Sequence, residues 1–284
     1  MAKAMIHIEA YCGDFVGEDR LVGLSRAGRI HEYDLSNGQE VNRAEGMKYG
    51  TAVRVSPDGE RLAVTTSDNQ LALFQRDGSP LLRRRIESEI YRGVAWSPNS
   101  MRFAMAHHRS HLALHDAVSG EEIAQIPCER SGTVERAGEN LLLIDHVMTD
   151  DMVPRLQVFD WNLNPVSDEL ILPIGADLVC RDREVSRIGV VVSRSVWIYD
   201  SSLTSHRELP SPEGSLIRSV QMHPAGTEVA IVSDEGDVYR MDTSSGEVLW
   251  TARCELASWC GYSPLGTRLI TFSPAKSLVA DVSR

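Results

Sequence analysis

Four histidines lie close together in the stretch AMAHHRSHLALHD, residues 104–116. They are His107, His108, His111 and His115. Imidazole nitrogens are common ligands of zinc and other transition metals, so this spacing could form a metal site. Whether the four side chains converge depends on the elements that carry them, because neighbouring residues of a strand point to opposite faces of its sheet.

The other motifs of the sequence do not predict catalysis. There is no G-x-S-x-G elbow, no P-loop, no G-x-G-x-x-G and no H-E-x-x-H. The cysteines never fall in a C-x-x-C spacing, and we expect them to be reduced, buried thiols. They are Cys12, Cys128, Cys180, Cys254 and Cys260. We therefore expect a protein without catalytic residues, cofactor or metal.

Composition limits the possible partners. The 284 residues carry a formal net charge of −11, and 42% of them are hydrophobic. This acidity argues against binding to nucleic acid or to an anionic membrane, since both attract basic proteins. No apolar run reaches the roughly 20 residues that a membrane-spanning helix needs, and the N-terminal sequence lacks the features of a signal peptide. We expect a cytoplasmic protein that binds one or more proteins, with no nucleic acid and no membrane insertion.

The chain repeats itself about every 41 residues. The segment VRVSPDGERLAVTTSDNQLALFQ, from Val53, aligns without a gap with VAWSPNSMRFAMAHHRSHLALHD, from Val94. Prolines mark four such repeats, at Pro57, Pro98, Pro224 and Pro264. The long interval between the second and third of these prolines holds two degenerate repeats, and one more repeat precedes the first proline. The sequence therefore contains seven repeats.

Each repeat predicts four short strands, which we name a to d, separated by turns. The first strand ends at Ser-Pro or His-Pro, a turn such as Pro57-Asp58-Gly59 follows, and the third strand ends in an aromatic residue and Asp. No segment has sustained helical periodicity. Such a unit is typical of a propeller blade, which needs neighbouring blades to bury its faces. We predict an all-β fold: a seven-bladed β-propeller of four-stranded antiparallel blades.

These features resemble the WD40-repeat family over nearly the whole chain. The resemblance rests on the S-P-D-G turn, the Ser-Asp turns at Ser67 and Ser233, the aromatic-Asp strand ends and the S-G-E turns. The sequence departs from the family pattern in having no Gly-His dipeptide and no Trp before the third-strand Asp. The resemblance implies a non-enzymatic scaffold or adaptor in a multiprotein complex, which presents its loops to protein partners.

The repeats also predict the domain limits. We expect a single domain over residues 1–284. The last repeat has only three strands, so the spare strand at residues 3–10 is expected to complete blade 7, as is usual in the WD40 family. The blades are expected at approximately residues 11–46, 47–87, 88–127, 128–173, 174–210, 211–253 and 254–284.

Candidate binding residues follow from the resemblance, because WD40 proteins often bind partners on the face with the d–a connections and b–c turns. By aligned position, this face includes Tyr49, Arg92, Arg218 and Trp259 at the starts of first strands, and Asp68, His108, Arg109, Asp234 and Glu235 in b–c turns. The long b–c hairpin over residues 145–155 adds Asp150 and Asp151, either as a binding loop or as a tolerated insertion. Trp259 could instead be a core residue.

The repeat alignment separates the four histidines. His115 falls on the third-strand aromatic position, where packing between blades is expected, and the other three fall near a b–c turn. His108 and His111 could still share a metal with His146, or His108 could make a partner contact depend on pH.

Two further alternatives remain open. The three arginines at residues 83–85 fall on an outer strand, where they either guard its edge or bind an acidic partner. The alternative function is a propeller enzyme or a sensor of a small ligand or metal in the central channel. Glu135 is the nearest candidate carboxylate for such a site.

Overall fold

The computed structural model describes residues 3–6, 8, 10, 12–25, 27–45, 47–85, 90–107, 111–128, 133–146, 153–184, 186–200, 203–273 and 277–282. At residues 3–6, 43, 90–92, 107, 145, 146 and 177 the description covers the backbone alone. Within this part of the chain, no helix has the length and apolar character to span a membrane.

The described residues form twenty-eight β-strands. The first nine are β1 (Lys3–Ile6), β2 (Cys12–Phe15), β3 (Arg20–Leu24), β4 (Arg29–Asp34), β5 (Gln39–Glu45), β6 (Gly50–Val55), β7 (Arg61–Thr66), β8 (Gln70–Gln75) and β9 (Pro80–Arg85). The next eight are β10 (Ile90–Trp96), β11 (Arg102–His107), β12 (His111–Asp116), β13 (Glu122–Pro127), β14 (Val134–Ala137), β15 (Asn140–His146), β16 (Pro154–Phe159) and β17 (Leu170–Ile171). The last eleven are β18 (Ala176–Arg181), β19 (Arg187–Val192), β20 (Ser195–Asp200), β21 (His206–Pro210), β22 (Ile217–Met222), β23 (Glu228–Ser233), β24 (Asp237–Asp242), β25 (Val248–Arg253), β26 (Trp259–Tyr262), β27 (Arg268–Phe272) and β28 (Ser277–Asp281). A 3-10 turn at Pro212–Gly214 is the only helical element among the described residues.

Hydrogen bonds join these strands into seven antiparallel sheets of four. Six sheets contain four consecutive strands, from β2–β5 (blade 1) to β22–β25 (blade 6), and the seventh has the order β1-β28-β27-β26 (blade 7). The N-terminal strand completes the last blade, with Lys3 opposite Ala280 and Ile6 opposite Ser277. The predicted seven-bladed β-propeller and its closing strand are confirmed.

Contacts between Cα atoms divide the chain into two compact units. One unit comprises Met1–Gly23, Tyr33–Glu40 and Gly175–Arg284, and it contains blades 5, 6 and 7. The other comprises Leu24–Glu32 and Val41–Ile174, and it contains blades 2, 3 and 4. The single domain and the blade limits expected from the sequence stay predictions.

Burial along a strand depends on its place in the blade. The second and third strands are buried along nearly their whole length, as in β7 (RLAVTT) and β8 (QLALFQ). Strands covered on both faces form continuous apolar runs rather than an alternating pattern. The fourth strands β9, β13 and β25 instead alternate between exposed and half-buried residues, as expected for strands at a sheet edge.

The S-P-D-G motif forms the tight a–b turn of blade 2. The buried hydroxyl of Ser56 donates to Oδ1 of Asp58 at 2.5 Å. Gly59 adopts a φ of 77°, in the left-handed region that favours glycine. Blade 3 repeats this arrangement, because the Ser97 hydroxyl donates to the amide oxygen of Asn99 at 2.8 Å. The third position of the motif therefore supplies the acceptor that holds the turn closed.

Arginines at the starts of second strands connect neighbouring blades. Nη1 of Arg61, Arg102 and Arg187 donates to a backbone carbonyl oxygen of the next blade, at 3.0, 2.7 and 2.9 Å respectively. The acceptors are Ser100, Trp161 and Gly226. All three bonds lie at the end of the blades that carries the a–b and c–d turns, so polar groups at this end are used within the fold.

Blade 7 lacks its own acceptor in the a–b turn, because Leu265 stands where blade 2 has Asp58. Glu18, from the turn between β2 and β3, takes that role. Its Oε2 accepts from the hydroxyls of Ser263 at 2.7 Å and Thr267 at 2.6 Å, and its Oε1 accepts from the Leu265 N–H. Burial raises the pKa of Glu18, but these hydrogen bonds and a nearby guanidinium outweigh it and hold the pKa below its ordinary value. A residue near the N-terminus thus stabilises a turn of the last blade.

Candidate protein-interaction surface

The d–a connections and the b–c turns meet at the same end of each blade where both are described. In blade 2 the Ser67 N–H donates to the Tyr49 carbonyl oxygen at 2.9 Å. In blade 6 the Asp234 N–H donates to the Leu216 carbonyl oxygen at the same distance of 2.9 Å. In blades 2 and 6 the backbone therefore brings together the two kinds of loop from which candidate residues were predicted.

Two of the predicted residues lie together in blade 2. Tyr49 is 66% exposed, directly before β6, with a φ of 60°. Asp68 is exposed in the adjacent b–c turn. Hydrogen bonds from the side chains of Thr66 and Gln70 hold the pKa of Asp68 below its ordinary value, so it is an anion at neutral pH.

Blade 6 carries three more predicted residues, all exposed. Asp234 and Glu235 occupy the b–c turn, and Arg218 is on β22, at a register shift in its pairing with β23. Among the described residues, no hydrogen bond or ion pair engages these three side chains. They are therefore available to a partner.

The same turn of blade 6 packs against the d–a connection that leads to blade 7. A Cβ on Gly236 would lie 2.8 Å from the Cys254 carbonyl oxygen and 3.3 Å from the Leu256 backbone nitrogen. Glycine, with a φ of 88°, is needed for this close approach. The b–c turn of blade 6 is thus hydrogen-bonded to the d–a connection that precedes the blade and packed against the d–a connection that follows it.

We name the resulting patch the blade 6 turn surface and define it by Leu216, Asp234, Glu235, Glu255 and Leu256. Leu216 is 49% and Leu256 67% exposed, and the three carboxylates are exposed as well. Neither leucine was predicted from the sequence, and Glu255 was not predicted either. The sequence indicates these residues only weakly, because a single leucine in a polar connection does not show whether its side chain is buried or exposed.

Trp259 has a mixed role. It is the first residue of β26 and is half-buried, with its ring centroid 5.0 Å from that of Phe272. Its ring lies over Gly261, where a Cβ would come within 2.2 Å of it. The structure therefore places much of this side chain in the packing of blade 7, which supports the core alternative, and its role in binding stays a prediction.

The remaining predicted residues are not tested by the structure. His108, Arg109, Asp150 and Asp151 lie outside the described residues, and Arg92 is described by its backbone in β10 alone. Their place on a binding surface stays a prediction.

The histidines do not gather at a metal site in the described part of the chain. His115 is buried, its ring stacks on Phe103 with centroids 5.0 Å apart, and its Nδ1 lies 3.2 Å from the Gly120 carbonyl oxygen. Burial lowers the pKa of His115 to about 4, so the ring is neutral at pH 7. His111 lies 3.5 Å from Glu122. The packing role of His115 is confirmed.

The described first strands do not form a cluster of carboxylates or a metal site. Glu135 of β14 forms an ion pair with Arg54 of β6, with 3.3 Å between Oε1 and Nη2. No group of three or more His, Cys, Asp or Glu side chains within the described ranges could hold a metal ion. The alternative that joins His108, His111 and His146 involves side chains outside this description and is not tested.

Two of the three arginines of the outer strand β9 contact other residues of the fold. Nη1 of Arg84 donates to the Gly120 carbonyl oxygen at 2.8 Å, and the Arg83 guanidinium lies 5.6 Å from the centroid of the Phe74 ring. Whether the three arginines protect the sheet edge or bind an acidic partner stays a prediction.

Comparison with known proteins agrees with this architecture. The family model of the anaphase-promoting complex subunit 4 WD40 domain matches residues 55–148. A crystal structure of the Cps50 (Swd1) β-propeller domain of Myceliophteria thermophila is similar to the chain with a TM-score of 0.82, at 14% sequence identity, over 99% of this chain and 98% of that chain. No curated protein matches the sequence. The resemblance to WD40-repeat propellers is confirmed, and at this identity the structural likeness shows the fold alone.

Proposed function

We propose that this WD40-repeat-like β-propeller is a non-enzymatic scaffold or adaptor of a multiprotein complex, which binds its partner through the d–a connections and b–c turns. The blade 6 turn surface is the observation that carries the proposal. There, exposed leucines lie beside carboxylates that have no partner among the described residues. Exposed apolar side chains rimmed by polar ones are typical of protein interaction sites.

The opposite ends of the blades support the same choice. Where the a–b and c–d turns lie, arginines and hydroxyls bond to neighbouring blades, as Arg61 and Ser100 do. A partner that docked there would compete with bonds that stabilise the fold. At the other end of blade 6, Arg218, Asp234 and Glu235 are exposed without such bonds, so binding would not disturb the blades.

The alternative of an enzyme or metal sensor is less well supported. Its candidate carboxylate, Glu135, already faces the Arg54 guanidinium. A hard cation would need several oxygen ligands and would have to displace that arginine. The matched family model is named for a subunit of a complex, which is the class of role proposed.

Affinity purification from the native cell tests the proposal. We expect a stoichiometric protein partner with the unaltered chain and its loss with the double variant D234K/E235K. The matched control E121K/E247K changes the net charge equally, at exposed positions in or next to c–d turns, and should keep the partner. Retention of the partner by D234K/E235K would contradict the proposed surface, and one equivalent of divalent cation in elemental analysis would favour the alternative.

A further inference from the structure

We infer that the blade 6 turn surface binds a partner segment in which lysine or arginine side chains flank an apolar one. The inference rests on the proposed function and adds the chemistry of the partner. It follows from two properties of the surface: its exposed leucines and the sign of its charge.

The leucines supply the apolar part of the surface. Leu216 and Leu256 lie in two different d–a connections, and each connection contacts the same b–c turn at residues 234–236. Both side chains are about half exposed or more. An apolar side chain of a partner that covers them would remove apolar surface from water on both molecules, which favours binding.

The turn around Leu256 determines how this side chain is presented. Its φ is 58°, and the Ala257 N–H donates to the Cys254 carbonyl oxygen at 3.0 Å, which closes the turn. In this turn the side chain is 67% exposed. The close approach of Gly236 to the backbone of residues 254–256 holds the connection in this shape. The d–a connection therefore holds an exposed leucine next to the b–c turn of blade 6, where a partner could cover it.

The negative charge of the surface indicates which class of partner it binds. Asp234, Glu235 and Glu255 are exposed on the surface, and Glu213 is exposed nearby. Burial raises the pKa of Tyr239, and the charges of Asp237, Glu213 and Glu235 raise it further, which shows that several carboxylates act on the same region.

The positively charged side chains near the blade 6 turn surface do not neutralise its carboxylates. Arg253 forms an ion pair with Asp237 at 3.1 Å, so it neutralises a carboxylate outside the surface. Arg218, at the start of β22, is the only other Lys or Arg among residues 211–218, 234–237 and 253–259. A cationic partner gains attraction here, whereas an acidic segment or a nucleic acid is repelled.

Peptide titration tests the inference directly. The probe is a fluorescent nine-residue peptide of lysine and leucine with a central glycine, and its control has glutamate in place of each lysine. The full chain should bind the lysine peptide and not the glutamate peptide. D234K/E235K should weaken binding by about tenfold, since two attractive pairs become repulsive, and L216S/L256S should also weaken it. E121K/E247K should change it less than about twofold, because its charges lie away from the surface.

Several results would overturn the inference. One is equal binding of both peptides, and another is no binding of the lysine peptide at about 1 mM. The third is an equal loss of peptide affinity in E121K/E247K and in D234K/E235K, which would show that the attraction is nonspecific. Thermal melting of every variant should match the unaltered chain, because all substituted side chains are exposed.

A crosslinking experiment separates failure of the inference from failure of the proposed function. A photoreactive residue replaces Glu235, or Glu121 as control, and the crosslinked partner segment is sequenced. A segment with Lys or Arg beside an apolar residue supports the inference. A segment without such cations refutes it and leaves the proposed function intact. Crosslinks at position 121 alone refute both.

Discussion

Replacement of Glu18 with alanine should destabilise blade 7 through its a–b turn. Glu18 accepts hydrogen bonds from Ser263, Thr267 and the Leu265 N–H, and Ser263 is fully buried. In E18A these donors lose their charged acceptor. Blade 2 does not depend on such a contact, because it has its own Asp58 in the equivalent turn.

The magnitude follows from the number and kind of these bonds. A hydrogen bond to a charged group contributes roughly 1.5–3 kcal/mol when it is buried, but Glu18 is only half-buried and solvent weakens its bonds. We expect E18A to lower the free energy of unfolding by about 3 kcal/mol. For a chain of this size the melting temperature should fall by about 6 °C.

The effect should depend on pH with a definite sign. The pKa of Glu18 is lower in the folded chain than its ordinary value of 4.5. Its ionised form therefore stabilises the fold fully above that value, and the stabilisation is lost as the pH falls through the folded-state pKa. E18A and the unaltered chain should differ most near pH 7 and converge in strong acid.

Urea unfolding of four variants is the assay. L265D restores a carboxylate at the position of Asp58, so E18A/L265D should recover part of the loss, whereas L265D alone should destabilise by placing two carboxylates together. E247A removes an exposed glutamate and should change nothing. An E18A variant as stable as E247A at pH 7, or no recovery in E18A/L265D, would refute the reasoning.

Three further predictions concern the blades themselves. The buried ring of His115 has a pKa of about 4, so between pH 6.5 and 4 it stays neutral in the folded chain while the same ring takes up a proton in the unfolded chain. The unaltered protein should therefore lose up to about 3 kcal/mol of unfolding free energy as the pH falls over this range, and H115F should not show this loss. Unfolding free energies with the same pH dependence in both proteins would contradict this. Deletion of residues 1–10 removes β1 and the buried Ile8 and should lower the melting temperature of the protein sharply, so a truncated chain that melts like the intact one excludes the closing role of β1. E228Q should cost about 3–5 kcal/mol in denaturant unfolding, since Arg240 is buried and bonded at 2.7 Å to that carboxylate; a change below about 1 kcal/mol would show that the pair is solvated.

The repeat made the fold predictable. The S-P-D-G turn at Ser56, the S-P-N-S turn at Ser97 and the buried second and third strands follow from local sequence, because blades 2 and 3 use the same turn bond and the strand pattern repeats. The alignment also identified His115 as a packing residue, since it placed His115 among the third-strand aromatics.

Contacts between distant parts of the chain could not be predicted in this way. Glu18 bonds to residues about 245 positions away, and nothing in the sequence pairs it with Leu265. The connection that carries Leu256 packs against Gly236 of the b–c turn in blade 6, a contact that local sequence does not report. The half-buried state of Trp259 likewise depends on Phe272, which belongs to the next strand of the blade.

Hydrogen–deuterium exchange with the purified native partner tests most directly whether the protein binds through its d–a connections and b–c turns. The proposed function predicts slower exchange on binding in peptides that cover residues 213–218, 233–237 and 254–259. Peptides from the a–b and c–d turns, such as residues 97–102 and 116–121, should exchange at an unchanged rate. Protection confined to those turns, or to the outer strands β9 and β13, would contradict the proposed surface.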